Sequence, residues 1–225
     1  MDSLIADLFV FALQFIQGSW ALWFNYVFMT FLFISVAEFT RQYQRLIFVV
    51  ESLEVRSSQQ VVEGGRFDEI LKQNIIHCIR HHQILLKNFR LFEIWFSMVF
   101  SIDLAVSVVA ITFALYFAIN VSSLSQLLNG FLAVCFISTN FLIRCLISEI
   151  FPNLSERLAE SLFWHGPWHK ANQRNRIILK MFHSTACQPL RLYGLSVFEA
   201  GRVTFGKLMR ATYSFFNVMN RKSMR

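Results

Sequence analysis

The chain has 225 residues, 55% of them hydrophobic and only 16% charged, with a mean hydropathy of +0.47. Soluble domains carry about 25% charged residues, so an ordinary soluble globular domain is excluded. The net charge of +7 and the pI of about 9.5 fit the Lys/Arg-rich loops of a membrane protein; a nucleic-acid binder would carry a basic run with interleaved exposed aromatics, and none is present.

Twenty-six Phe against 8 Gly and 3 Pro favour long apolar helices over sheets and turns. The chain opens Met1-Asp2, with no basic region or small-residue cleavage site, so a cleaved signal peptide is not expected. From Leu8 to Ala37 no residue is charged, and Asp7 and Glu38 bracket the run. About 30 residues make roughly 45 Å of helix. This is the first predicted span, tilted and continuing past the bilayer through Arg41 and Arg45.

Residues from about Glu38 to Arg90 are polar and basic, and Ser57-Ser58-Gln59-Gln60 with Gly64-Gly65 predict a loop. From Phe67 to Phe92, Ile70, Leu71, Ile75, Cys78 and Leu85 recur at helical spacing, which predicts an amphipathic helix entering the next span. Apolar character then holds from Ile94 to Ile143, too long for one crossing. The Asn120–Asn129 stretch, rich in Ser and Asn, predicts a turn between a span over Ile94–Ile119 and another over Leu127–Cys145, with Arg144 at its far end. The segment from Ser148 to Gln188 is again basic, with breaks expected at Pro152 and Gly166-Pro167. A last helix is predicted from about Val197 to Val218, although Glu199, Arg202, Lys207 and Arg210 interrupt its apolar character.

The predicted fold is all-α: a polytopic membrane bundle of four transmembrane helices extending into a cytoplasmic helical anchor region. Its parts are 1–50 (first span and extension), 51–93 (loop and amphipathic helix), 94–147 (two spans and a short turn), 148–192 (helical segment) and 193–225 (last span and tail). Both long loops are rich in Lys/Arg and the short turn has none, which places the loops in the cytoplasm and the turn outside. The last helix then ends outside, against the mild contrary pull of Arg221, Lys222 and Arg225.

The C-terminal stretch carries a diffuse signature. Pro189-Leu190-Arg191-Leu192 is followed by Thr204-Phe205, then Lys207 and Arg210, then Tyr213-Ser214-Phe215-Phe216. This run resembles the tail of insect odorant receptors. Asp7-Leu8-Phe9 with Leu13 is similar to the start of the family's fourth span. His81 with Ile84-Leu85, then Leu91-Phe92-Glu93 and Phe96-Ser97, is similar to the approach to the fifth. Trp168 with the Arg174–Lys180 helix resembles the segment before the last span. The resemblance covers nearly the whole chain and implies the last four of seven spans, with the C-terminus external. It further implies a subunit of an odorant-gated, non-selective cation channel in a cell membrane, the dendritic membrane of a sensory neuron. The partners it implies are the family's coreceptor in a hetero-tetramer, volatile apolar small molecules and membrane lipid. A non-conducting regulatory subunit and a gustatory-type receptor of the same superfamily are the alternatives. A small transporter would show broken helices and paired halves.

The family's last helix lines a central pore, so the resemblance assigns Tyr213, Ser214, Phe216 and Asn217 to the pore wall near the external gate. Hydrophobic constrictions of this kind gate by dewetting. Lys207 and Arg210 are expected to face headgroups, side portals or carboxylates, with Glu199 a possible partner. Aromatic residues of the first span, Phe9, Phe15 and Trp20 (with Phe11, Trp23 and Phe24), and Phe131 and Cys135 on the third, are candidate lining of an odorant pocket. Small apolar ligands suit an aromatic cavity with few polar groups, and the alternative is lipid contact or packing.

Asp103 is the only acidic residue inside the first three predicted spans. It is read either as a vestibule residue or as a packing partner to a Ser, Thr or Asn of a neighbouring span. His77 and His81, next to His82, and His165 and His169 have metal-compatible spacing. No further ligand completes either set, so helix contacts are the favoured reading and no metal or cofactor is expected. Cys78, Cys135, Cys145 and Cys187 show no disulfide or metal spacing. Asn120-Val121-Ser122 and Asn153-Leu154-Ser155 fit the glycosylation sequon on opposite sides of the membrane. No nucleophile–base constellation supports catalysis, and no nucleic-acid partner is expected.

Overall fold

The computed structural model describes the backbone of residues 2–61, 66–120, 124–195 and 197–223, and the side chains of 19, 23–61, 66–116, 124–125, 127–195 and 197–219. The elements in order are α1 (Asp2–Glu51), α2 (Leu53–Val61), α3 (Phe67–Asn120), α4 (Leu124–Ser148), α5 (Ile150–His165), α6 (Gln173–Ala186), β1 (Tyr193–Gly194), β2 (Phe198–Glu199) and α7 (Arg202–Ser223). Three stretches are long and apolar enough to cross a membrane, within 23–51, 67–116 and 127–165. The fold is thus an all-α membrane bundle. The fourth predicted crossing, α7, is not among the three.

The chain divides into two units, 1–42 and 43–225. In the first, the helix runs without a break through its charge-free stretch. Thr30 donates its hydroxyl to the Tyr26 carbonyl at 2.8 Å. Where charge begins, Glu38 accepts from Arg41 at 2.8 Å and from Gln42 at 2.6 Å, pairs at i,i+3 and i,i+4 that support a solvent-facing helix. The expected extension past Arg41 and Arg45 is present, since α1 ends only at Glu51.

The second unit is organised around α3, which contacts α2, α4, α6, β1 and α7. Its basic half buries Leu71, Ile75, Cys78, His82, Leu85 and Phe89, a three-to-four spacing that is the predicted amphipathic stripe. Leu71 and Ile75 meet Ala171 and Leu179, with Phe67 and Trp168 packed at the edge. Above them runs an aromatic ladder. Phe96 stacks on Phe92 at 5.9 Å and on Phe100 at 5.2 Å, and Phe100 stacks on Phe141 of α4 at 5.2 Å. Phe89 meets Phe151 of α5, also at 5.2 Å. Aromatic pairs in such arrangements contribute about 0.5–1.5 kcal/mol beyond the area they bury.

Several expected boundaries are corrected. Ser57-Ser58-Gln59-Gln60 is helical, within α2, because Ser57 is buried and accepts from Asn74 Nδ2 at 3.1 Å. Tertiary partners override the low helix propensity of that cluster. Ser125, Gln126 and Asn129 belong to α4, which starts at Leu124. Gly166-Pro167 does end α5, where the Trp168 indole donates to the Leu162 carbonyl at 3.0 Å. Pro152 acts four residues upstream of itself. Having no N–H, it leaves the Ser148 carbonyl without a helical donor, and the helix breaks at Glu149 before resuming at Ile150. The last helix starts at Arg202 rather than near Val197, because Tyr193–Gly194 and Phe198–Glu199 pair as a short antiparallel hairpin. Leu195 adopts φ 47° in its turn. At Gly194 a Cβ would lie 2.9 Å from Phe100. That close approach suits glycine and seats the hairpin on α3.

His82 gives a prediction about pH. It lies at the basic end of α3, before the apolar span read from Ile94, with its ring 6.1 Å from Tyr43 and 5.5 Å from Phe182. Burial, with a smaller contribution from the charge of His81, pushes its imidazole down to about 4. The folded chain holds it neutral, whereas the unfolded chain takes up the proton near pH 6.5. Its contribution is therefore complete above about pH 6.5 and is lost as pH falls toward 4, about 1–2 kcal/mol by pH 5. The melting temperature of detergent-solubilised protein is expected to fall between pH 7.5 and pH 5. His82→Phe should flatten most of that slope; an unchanged slope would place the acid sensitivity elsewhere.

Candidate functional site

α7 buries Thr204, Leu208 and Thr212, each one turn above the last, and this stripe packs on α3 and α4. The Thr212 hydroxyl is spent on the Leu208 carbonyl at 3.0 Å, so the packed face exposes no free donor. Tyr213 is 65% exposed, Ser214 is exposed, and Phe216 and Asn217 are half-buried. At 100° per residue the centre of these four lies roughly 160° from the buried stripe. Of the four residues assigned to the pore wall, Tyr213 and Ser214 lie on the face that the chain leaves open, and Phe216 and Asn217 border it. Lys207 and Arg210 are exposed as well.

Glu199 does not serve those cations. It pairs with Arg191 across the hairpin at 2.9 Å. The start of α7 is instead held by Glu149, at the α4–α5 break. Glu149 Oε1 accepts from the Arg202 backbone N–H at 2.9 Å, and Oε2 accepts from Arg202 Nε at 2.7 Å. Ser148 Oγ lies 2.9 Å from the Ala200 carbonyl. The Leu195 N–H donates to Ser97 Oγ at 3.0 Å, and the Leu190 N–H donates to Ser155 Oγ at 3.3 Å. Four side chains from α3, the α4–α5 junction and α5 thus fasten the linker that leads into α7.

The packing partner of Asp103 differs from the one expected. It pairs with Arg144 of α4, whose side chain is only 4% exposed. A charged partner on the adjacent helix, rather than a Ser, Thr or Asn, receives the carboxylate.

The candidate ligand positions are divided between the two units, Phe9, Phe15 and Trp20 in the first and Phe131 and Cys135 in the second. Phe131 and Cys135 are exposed on α4. The side chains of Phe9, Phe15 and Trp20 lie outside the described residues, as does that of Asn120. Trp23 and Phe24 are exposed. An apolar groove of about 490 Å³ does occur elsewhere, between α3, the hairpin and α7, lined by Leu104, Val108, Phe113, Leu195, Phe198, Phe215 and Met219. No periodicity flagged it, because its walls come from three separated segments. His77 is exposed, and His169 lies 3.8 Å from Glu54, which Lys170 also engages at 2.5 Å. Among the described residues no three His, Cys, Asp or Glu gather as a metal set. Asn153 sits in α5.

A protein-family model described as 7tm Odorant receptor matches residues 6–213. No curated protein matches the chain.

Proposed function

The chain belongs to the 7tm odorant receptor family, and from that premise we propose that it works as one subunit of an odorant-gated, non-selective cation channel. The family is one of receptors rather than enzymes. The observation that carries the channel reading is the outward face of α7. It mixes Tyr213, Ser214, Phe216 and Asn217 on a helix whose opposite stripe is packed against α3 and α4. A helix fully committed to lipid would turn an apolar surface outward. This one turns the Tyr213 phenol outward, with Ser214 beside it (its hydroxyl donated to the Arg210 carbonyl at 3.0 Å) and the half-buried Asn217 amide at the border, a mixed surface that suits a wetted wall with an apolar constriction.

In this reading the shared coreceptor completes a hetero-tetramer around the conduit, in the dendritic membrane of a sensory neuron. A volatile apolar molecule binds in the outer half of the bundle. It biases α7 between closed and open positions through its differential affinity for the two. The test is two-electrode recording from oocytes expressing the coreceptor with and without this chain, exposed to a panel of volatile esters, alcohols and terpenes. An inward cation current evoked by a panel member only when this chain is present is the expected result. Equal responses with the coreceptor alone would remove the ligand-gated role and favour a non-conducting regulatory subunit.

A further inference from the structure

We propose that Glu149 is the positioning residue of α7, a carboxylate that caps the helix from a neighbouring element and ties its start to the α4–α5 break. The inference rests on the channel reading only for its functional consequence; the cap itself is a separate claim.

The cap originates at Pro152. Its missing N–H breaks the helix at Glu149, and the Ser148 and Glu149 side chains at the break contact Ala200 and Arg202. The first N–H groups of any helix lack intrahelical partners, and α7 begins after Gly201, which has no side-chain acceptor to offer. Glu149 Oε1 fills that place at the Arg202 N–H, 2.9 Å away, and Oε2 holds the Arg202 side chain at 2.7 Å. A carboxylate at a helix N-terminus is favoured both by the hydrogen bond and by the helix dipole. Ser148 reinforces the joint at the Ala200 carbonyl, 2.9 Å from its hydroxyl.

The same junction reaches back along α4. The Ser148 hydroxyl also lies 3.1 Å from the carbonyl of Arg144, the residue that pairs with Asp103 of α3. A shift of α4 against α3 therefore moves the carboxylate that seats α7. Glu149 is in this way the joint between the helices that carry the charge pair and the helix proposed to border the conduit.

Two measurements test it. In the solubilised chain, Glu149→Ala is expected to raise hydrogen exchange at the amides of Arg202 to Thr204 at least tenfold, with α5 and α6 unchanged and Glu149→Asp restoring most of the protection. Unchanged exchange at those amides, or a rise spread over the whole chain, would overturn the cap. In the complex with the coreceptor, at matched surface levels, Glu149→Ala should shift the half-maximal concentration of the most effective panel volatile at least threefold, and Glu149→Asp should shift it less. Faster exchange with an unaltered dose–response would overturn the positioning role. A wild-type complex that gives no odour-evoked current would count against the channel reading and leave the exchange result to judge the cap.

Discussion

Arg144→Leu, with Asp103 left in place, is expected to destabilise the chain by about 3–5 kcal/mol. Arg144 is 4% exposed and Asp103 23%, and the two meet between α3 and α4. Removing one charge leaves the other in an apolar setting, where desolvation outweighs anything a mobile water can return. For a chain of this size that cost corresponds to a melting temperature lower by roughly 10 °C. Asp103→Leu combined with Arg144→Leu should recover most of the loss, because a buried pair replaced by packed apolar side chains is often neutral or better. Thermal unfolding in detergent, followed by size-exclusion fluorescence, separates the cases. If the double variant melts as low as the single one, the two charges do not act as a pair.

That pair shows why the site was only partly legible in the sequence. The spans themselves announce their presence through charge-free runs, and the amphipathic stripe from Leu71 to Leu85 through its spacing. Asp103 and Arg144 were each visible, but 41 positions apart, and no local pattern links them. A signal did exist in their placing. Asp103 stands seventeen residues before the end of α3 and Arg144 twenty after the start of α4. Two helices joined by a short turn bring such positions to within about one helical turn of the same depth. The hairpin of Tyr193–Gly194 and Phe198–Glu199 was hidden for another reason. Its apolar Leu190, Leu192, Val197 and Phe198 continue the character of the helix that follows, and only Gly194 and Gly201 hint at the change. Glu149 was invisible in its role, since a cap supplied from another element has no sequence spacing to read.

The second large effect concerns α7. Ser214→Cys and Asn217→Cys, each expressed with the coreceptor, are expected to lose more than half of their odour-evoked current after a positively charged thiosulfonate is applied with the odorant. Thr212→Cys should lose little, because Thr212 belongs to the buried stripe against α3 and α4 and is 1% exposed. The contrast is the point of the design. A reagent acting through general damage to the helix would affect all three, whereas a wetted conduit wall admits it only on the outward face. The endogenous Cys135 and Cys187, both exposed, are replaced by Ser in the background so that labelling reports α7 alone. Lys207 and Arg210 add a sign to the expectation. They lie on α7 between its capped start and Ser214, and a cationic adduct joins the charge they already carry. Cation flow should then fall further at Ser214, one turn above Arg210, than at Asn217, two turns above it, since unscreened charge acts over several ångströms. Equal block at all three sites, or block at Thr212 alone, would mean that α7 presents a different face to the ions.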